Sequence, residues 1–454
     1  MSNELVGVLD VGKTNVRLAF VDAHSGDEVW SARRASHVVN SPLIRQLDVD
    51  GIERWMTEAL RSAPRREQVR ALVPIAHGAA AVLLDADLKV LVAPDYEDPR
   101  FETVAAAYSQ VRDPFSHTFS PQLALGLNLG RQLFYLETMA PKLYARVAHV
   151  VLYPQYWAWR LSGVLASELT SLGCHTDLWQ PRERTYSALA HSHNWSQRLP
   201  PIRYAGDTLA TIAAEMSAAT GLDPGCRIVC GIHDSNASYL QHLLDRSRDR
   251  PFTVVSSGTW TVVMTGAADL SRLRQERDML ANVDAFGAPV GTARFMGGRE
   301  YERIAGSSAA PDTAALANVM RLQALAVPSF AAGGPFPHHP GKILRAERLD
   351  ATERATLASL YTALMTDLLM DDLQARGAII IDGPLASNSV YCAVLATLRQ
   401  ANAVHRKAHA TGAARASCHL AGYATTEEPT VAVDALQLCD LDRYRDSWRT
   451  HLPG

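Results

Sequence analysis

Near the start of the chain an apolar run containing Val8-Leu9-Asp10-Val11 meets the polar segment Gly12-Lys13-Thr14-Asn15. Beyond it Val16, Leu18 and Phe20 alternate with Arg17, Ala19 and Val21, which is the period of a strand. The pattern predicts a β-hairpin with Asp10 at the end of its first strand, a tight turn at residues 12–15, and Arg17 at the start of the return strand. The same pattern recurs at Phe252-Thr-Val-Val-Ser-Ser-Gly258-Thr-Trp-Thr-Val-Val-Met264. Aligning Gly12 with Gly258 puts one such hairpin in each half of the chain and predicts two similar lobes facing each other across a cleft.

Other elements follow from the same reading. Ile52, Trp55, Met56 and Leu60 share one face of a helix over about 50–63, and strands follow near 71–75 and 81–84, so the first lobe alternates strand and helix as α/β folds do. Residues 99–197 read as a longer, more helical insertion rich in Tyr and Trp. A strand at 227–232 and a helix at 235–244 close the first lobe, and the charged run 245–250 reads as a solvated linker. The expected lobes are therefore 1–245 and 246–454. The second is expected to hold helices near 311–326 and 352–376, the latter with Leu357, Leu360, Tyr361, Leu364 and Leu368 on one stripe, and the buried strand Ala378-Ile-Ile-Ile381.

Gly7 to Thr14 also satisfies G-x-x-x-x-G-K-[ST], the P-loop pattern. A P-loop needs a helix to begin at Lys-Thr so that its N–H groups face the phosphates, whereas here a strand begins. The hairpin turn offers backbone N–H groups, a hydroxyl, an amide and two cations to phosphate oxygens, with Asp10 placed to hold Mg²⁺, usually through water. Asp234 follows a buried apolar strand and is expected at the N-cap of the helix after it; capping alone would account for it, and the functional alternative is a general base for a substrate hydroxyl. Asp382-Gly-Pro-Leu-Ala-Ser-Asn388 joins a strand to a helix N-terminus, the arrangement of a nucleoside site.

Composition narrows the partners. With 454 residues the chain is too long for one core, and a net charge of −3 carries no footprint for nucleic acid or an acidic membrane. No stretch reaches the ~20 uninterrupted apolar residues of a membrane span, and the start of the chain enters the first strand without a leader, so a cytoplasmic protein is expected. The six cysteines (Cys174, Cys226, Cys230, Cys392, Cys418, Cys439) are too sparse for a disulfide framework. Cys226, Cys230 and His233 lack a fourth ligand at a zinc spacing, and His338-His339 lies in an aperiodic Pro/Gly-rich loop, so no metal is assigned to either.

Taken in order, Leu9-Asp-Val-Gly-Lys-Thr-Asn-Val-Arg17, Gly231-Ile-His-Asp234, Val255-Ser-Ser-Gly-Thr-Trp260 and Asp382-Gly383 through Asn388 resemble the motifs of the FGGY carbohydrate kinases, within the actin, Hsp70 and hexokinase-like ATPase superfamily. The resemblance spans nearly the whole chain. It implies an α/β fold of two ribonuclease H-like lobes with a central cleft, Mg²⁺ on Asp10, and ATP on Gly12, Lys13, Thr14, Asn15, Arg17, Gly258, Thr259, Gly383 and Asn388. It makes Asp234 the catalytic base, in contact with the sugar. His77-Gly78 resembles the sugar-binding His-Gly of the xylulokinase branch, and Tyr96-Glu-Asp98-Pro-Arg100 resembles another sugar-side segment. Pro384 departs from the family, many members having a second Gly there. The implied activity is ATP-dependent phosphorylation of a ketose (L-fuculose, L-rhamnulose or a pentulose), with lobes that close on the sugar and a homodimer as the candidate assembly. The alternatives are a glycerol or erythritol kinase, or a non-catalytic nucleotide-dependent binding protein.

Overall fold

In a computed structural model the alternation near the start of the chain does form a hairpin, β1 (Leu5–Val11) and β2 (Asn15–Asp22), paired antiparallel with Asp10 opposite Arg17. The structure describes residues 4–244, 251–266, 268–407, 412–425, 429–438 and 440–453; the charged run 245–250 and Cys439 lie outside them. By contacts the chain divides into two compact units. One is Met1–Asp245 with Ala281–Pro289 and Thr411–Glu427, the other Arg246–Leu280 with Val290–Ala410 and Glu428–Gly454.

In the first unit the hairpin continues antiparallel into β3 (Glu28–Ala35), while β1 pairs in parallel with β4 (Val69–Ala76) and β4 in turn with β5 (Arg227–Val229) and β6 (Ile232–His233). Both faces of this sheet are covered. Leu5, Leu9, Val16, Leu18 and Phe20 pack with Ile52, Met56 and Leu60 of α1 (Val49–Ser62). Val6, Val8 and Val21 pack with Ala237 and Leu240 of α2 (Asp234–Leu244). Strand side chains point alternately to opposite faces, so Asp10 shares the face of Val6 and Val8, the one that α2 covers.

The second unit repeats this order. β7 (Phe252–Ser257) and β8 (Thr261–Thr265) form the second hairpin, β8 runs antiparallel to β9 (Pro289–Phe295), and β7 lies parallel to β10 (Ala378–Asp382), which lies parallel to β11 (Val404–Lys407). The strand order 3-2-1-4-5, with the same parallel and antiparallel sense, is thus common to both units. In the hairpin alignment Asp10 corresponds to Ser256, so only the first unit carries a carboxylate there.

Two expectations for the second unit change. Residues 311–326 form a short 3₁₀ turn, a helix only at Leu316–Arg321, and a strand at Leu325–Val327, since the apolar run at its end pairs with Lys342–Leu344 and does not extend the helix. The long helix α4 (Ala351–Asp372), which follows α3 (Gly297–Ala305), is buried on most sides and not along a stripe. It tolerates this because Thr356, Ser359, Thr362 and Thr366 donate their hydroxyls to the carbonyls four residues back, at 2.8–3.0 Å.

One backbone feature directs the end of the first sheet. Between the pairs Ile228↔Leu72 and Ile232↔Ile75 the chain gains one residue over β4, a bulge centred on Gly231 at φ +87°. Since a one-residue slip exchanges the faces of a strand, this bulge determines where His233 and Asp234 emerge. A Cβ at Gly231 would lie 2.3 Å from the Pro74 carbonyl oxygen. Gly231→Ala is therefore expected to cost about 2 kcal/mol or more of stability in urea unfolding.

Candidate functional site

Asp10 and Asp234 come together because β1 and β6 flank β4: Asp10 and Ile232 both pair with Ile75. Asp10 is partly buried, and its pKa rises to about 6, first through burial and then through the charge of Asp234, with Arg17 and Arg33 opposing. At the adjoining turn the Gly12 N–H donates to the Asn15 carbonyl at 3.0 Å, and Ser36 donates to the Gly12 and Thr14 carbonyls at 2.8 Å. Thr14 and Asn15 are exposed. Among the described residues the N–H groups of Lys13 and Thr14 take no partner, so the turn presents free donors at its tip. The two cations are engaged: Lys13 bonds buried Asp95, reaches Glu97 at 3.4 Å and lies over the Tyr96 ring, while Arg17 pairs with Glu28.

Asp234 is the first residue of α2, not the residue before it. The expected cap is replaced: the Asp234 Oδ1 accepts from its neighbour, the Ser235 N–H at 2.6 Å, from the Ser235 hydroxyl at 3.3 Å, and lies 3.2 Å from His233 Nε2. The side chain is 41% exposed. His77 is buried, with its edges against Tyr96 and Tyr153. Its Nδ1 lies 2.9 Å from the Gly78 carbonyl oxygen, so Nδ1 carries the proton and Nε2 is the acceptor. Burial lowers the His77 pKa and keeps the ring neutral.

Asp98 and Arg100, the other expected sugar contacts, meet each other. Arg100 donates to both Asp98 oxygens at 2.7–3.1 Å and to the carbonyls of Ser41 and Pro42. Asp98 is buried and caps the 3₁₀ turn Pro99–Val104. With both Asp98 oxygens engaged, the pair braces the 41–45 segment.

In the second unit Gly258 and Thr259 are exposed at the tip of the hairpin. The Gly258 N–H donates to the Trp260 carbonyl at 2.9 Å. The Gly298 N–H donates to the Thr259 carbonyl at 3.3 Å, and a Cβ at Gly298 would lie 2.4 Å from the Gly258 oxygen, so the N-terminus of α3 abuts this turn. Gly297-Gly298 went unread in the sequence; two successive glycines opening a helix after a strand were the available signal. Ser257 ties the hairpin to the second turn, donating to the Asp382 carbonyl at 2.6 Å and accepting from the Leu385 N–H at 2.9 Å. Gly383 has φ +81° and leaves no room for a Cβ against the Ser257 oxygen. Asn388 caps α5 (Ser389–Leu398) by accepting from the Tyr391 N–H at 2.9 Å and donates to Ser359 at 3.0 Å.

Residues 5–240 match the N-terminal domain of the FGGY family of carbohydrate kinases, and residues 249–429 match the carbohydrate kinase FGGY C-terminal domain. The chain belongs to the FGGY family. Its fold matches a carbohydrate kinase from Novosphingobium aromaticivorans with a TM-score of 0.90 and 34% identity, over 99% of this chain and 98% of that one. A ligand-bound xylulose kinase from Lactobacillus acidophilus shares the fold at TM-score 0.76 and 13% identity, over 98% of this chain and 96% of that one. Plasmodium falciparum glycerol kinase with ADP does so at TM-score 0.76 and 11% identity, over 98% and 96%. An L-fuculokinase from Haemophilus influenzae is 28% identical over 139 residues, 29% of this chain and 27% of that protein. This chain thus matches about a quarter of the length of that curated relative.

Within the FGGY fold the Pro384 departure has a local reason. Pro384 opens the 3₁₀ turn Pro384–Ser387, where no N–H is needed, and the next N–H, that of Leu385, already serves Ser257. Among the described residues no helix is long and apolar enough to cross a membrane.

The raised Asp10 pKa carries a prediction. The fold binds this proton more tightly than the unfolded chain does, so the contribution of Asp10 to stability is full below about 3.8 and is lost as pH rises through about 6. Asp10→Asn, measured by urea unfolding without nucleotide or Mg²⁺, is expected to stabilise the protein by about 1–2 kcal/mol at pH 8 and by less at pH 5.

Proposed function

We propose that this FGGY chain is an ATP-dependent, Mg²⁺-requiring kinase of the cytoplasm that transfers the γ-phosphoryl group to a hydroxyl of a ketose: L-fuculose, L-rhamnulose or a pentulose. The observation that carries the reading is the convergence of Asp10 and Asp234 on one face of the first sheet, at the carboxyl ends of strands on either side of β4. Phosphoryl transfer asks for positioning and charge neutralisation more than for covalent chemistry. One hard carboxylate beside a turn with free N–H donors suits a Mg²⁺ ion held largely by phosphate and water. The ion would neutralise charge on the transferring group when bound.

Each group of the first unit then has a role. Asp234 Oδ2 accepts the proton of the attacking hydroxyl; Asp10 faces the cation; the Lys13 and Thr14 N–H groups bind phosphate oxygens, with Asn15 beside them. Nε2 of His77 accepts from a sugar hydroxyl. Lys13 and Arg17 supply positive charge near the phosphates, the former after exchange from Asp95. In the second unit Gly258 and Thr259 are assigned to phosphate, and Gly383 and Asn388 to the nucleoside through the backbone, the Asn388 side chain being used as a cap. The L-fuculokinase relative supports a deoxyketohexose, and the ADP named for the glycerol kinase supports an adenine nucleotide.

The test is coupled ADP release with Mg·ATP across D-xylulose, L-fuculose, L-rhamnulose, glycerol and erythritol. One ketose is expected to stimulate turnover strongly; stimulation only by a polyol would overturn the acceptor class. With that ketose, Asp234→Asn is expected to lose about 10²- to 10⁴-fold in kcat while still binding ATP and sugar, and near-normal turnover would remove Asp234 as the base.

A further inference from the structure

His233, which in the sequence stands only in an incomplete zinc set and beside Asp234, makes several contacts next to that carboxylate. It is buried, and its N–H donates to Thr170 Oγ1 at 3.0 Å. That hydroxyl donates to buried Glu168 at 2.6 Å, so the backbone of His233 is pinned. On the ring, Nδ1 lies 3.1 Å from the buried Asn236 amide, and Nε2 lies 3.2 Å from Asp234 Oδ1 and 3.8 Å from Cys174 Sγ. A Cβ on Gly78 would lie 2.7 Å from Nε2, so the missing side chain there is what lets the ring occupy its place.

The donors around Asp234 are distributed unevenly. Ser235 N–H, Ser235 Oγ and His233 Nε2 all gather on Oδ1, and among the described residues none is recorded on Oδ2. In the neutral ring, with the Asn236 amide N–H donating to Nδ1, the proton sits on Nε2 and points at the carboxylate; in the charged ring both nitrogens carry a proton, the Asn236 amide oxygen accepts from Nδ1, and Nε2–H still faces Asp234. We propose that His233 is a positioning residue for the base: its Nε2–H holds Oδ1 of Asp234 and leaves Oδ2 turned to the acceptor hydroxyl. Gly78 makes room for that ring, and Cys174 lies beside the same Nε2 edge. This inference rests on the assignment of Asp234 as the base.

The titratable and charged groups facing the pair are Cys174 and His175 from the turn after Leu172, Glu168, His77, Tyr96, Lys13 and Asp10. Burial opposes a charge on His233, but Cys174 and Asp234 outweigh it and its pKa rises. In either charge state Nε2–H is a donor toward Asp234 Oδ1.

Two measurements test this on the full chain. In ¹⁵N-histidine-labelled protein a long-range ¹H–¹⁵N spectrum, with the His233 signal assigned by its loss in His233→Gln, should show a proton on Nε2 and should shift in Asp234→Ala; a neutral ring protonated only on Nδ1 overturns the proposal. In the ADP-release assay with the active ketose, His233→Leu should lower kcat by about 10- to 100-fold and leave KM for ATP within about twofold. His233→Gln, which keeps an N–H donor, should recover most of kcat and guards against a folding defect in the leucine variant. Wild-type kcat in His233→Leu would overturn the inference while Asp234→Asn remained inactive. An active Asp234→Asn would instead remove the base reading on which it rests.

Discussion

Everything at the candidate site depends on how β4 is flanked. A parallel strand on each side, β1 and β6, both in register with Ile75, brings the ends of two segments more than 200 residues apart in the chain to neighbouring positions. The pleat puts Asp10 on the face that α2 covers, and the bulge at Gly231 sets the direction in which His233 and Asp234 leave the sheet. Backbone pairing thus does the long-range positioning, and two short segments after it supply the chemistry. The cost is visible in Asp10, a carboxylate held where burial and a like charge both disfavour ionisation.

The second unit shows how little of the hairpin pattern is chemistry. It repeats the strand order and the glycine turn, but Ser256 stands where Asp10 does, and Ser257 is spent joining the hairpin to the 382–385 turn. The two units thus share a backbone frame and differ in the side chains at its strand ends.

Reading the sequence succeeded where one local rule decided the outcome. The two hairpins, α1, the strand before Asp234 and the glycine at 383 all follow from period, turn chemistry or breaker residues within a few positions. It failed where a partner far along the chain decided. The 311–326 segment ends as a strand because Lys342–Leu344 pairs with it. Asp98 and Arg100 stand two residues apart, and what their spacing does not show is that the pair reaches across to hold the 41–45 segment. The long helix looked amphipathic because a hydroxyl bonded to its own helix is indistinguishable in sequence from one facing water.

What the sequence determined by itself is the family, the duplicated hairpin, and the identity of the two carboxylates, since each of these lies in a contiguous motif. Only the tertiary structure decided that Asp10 and Asp234 share a face, that Lys13 reaches Asp95, and that Cys174 and Gly78 pack against the His233 ring beside Asp234. The physical reason is that hydrogen-bond geometry and desolvation act through space. The residues gathered at Asp234 and its neighbour His233 come from positions 78, 174 and 233 to 236, and no period or spacing along the chain connects them.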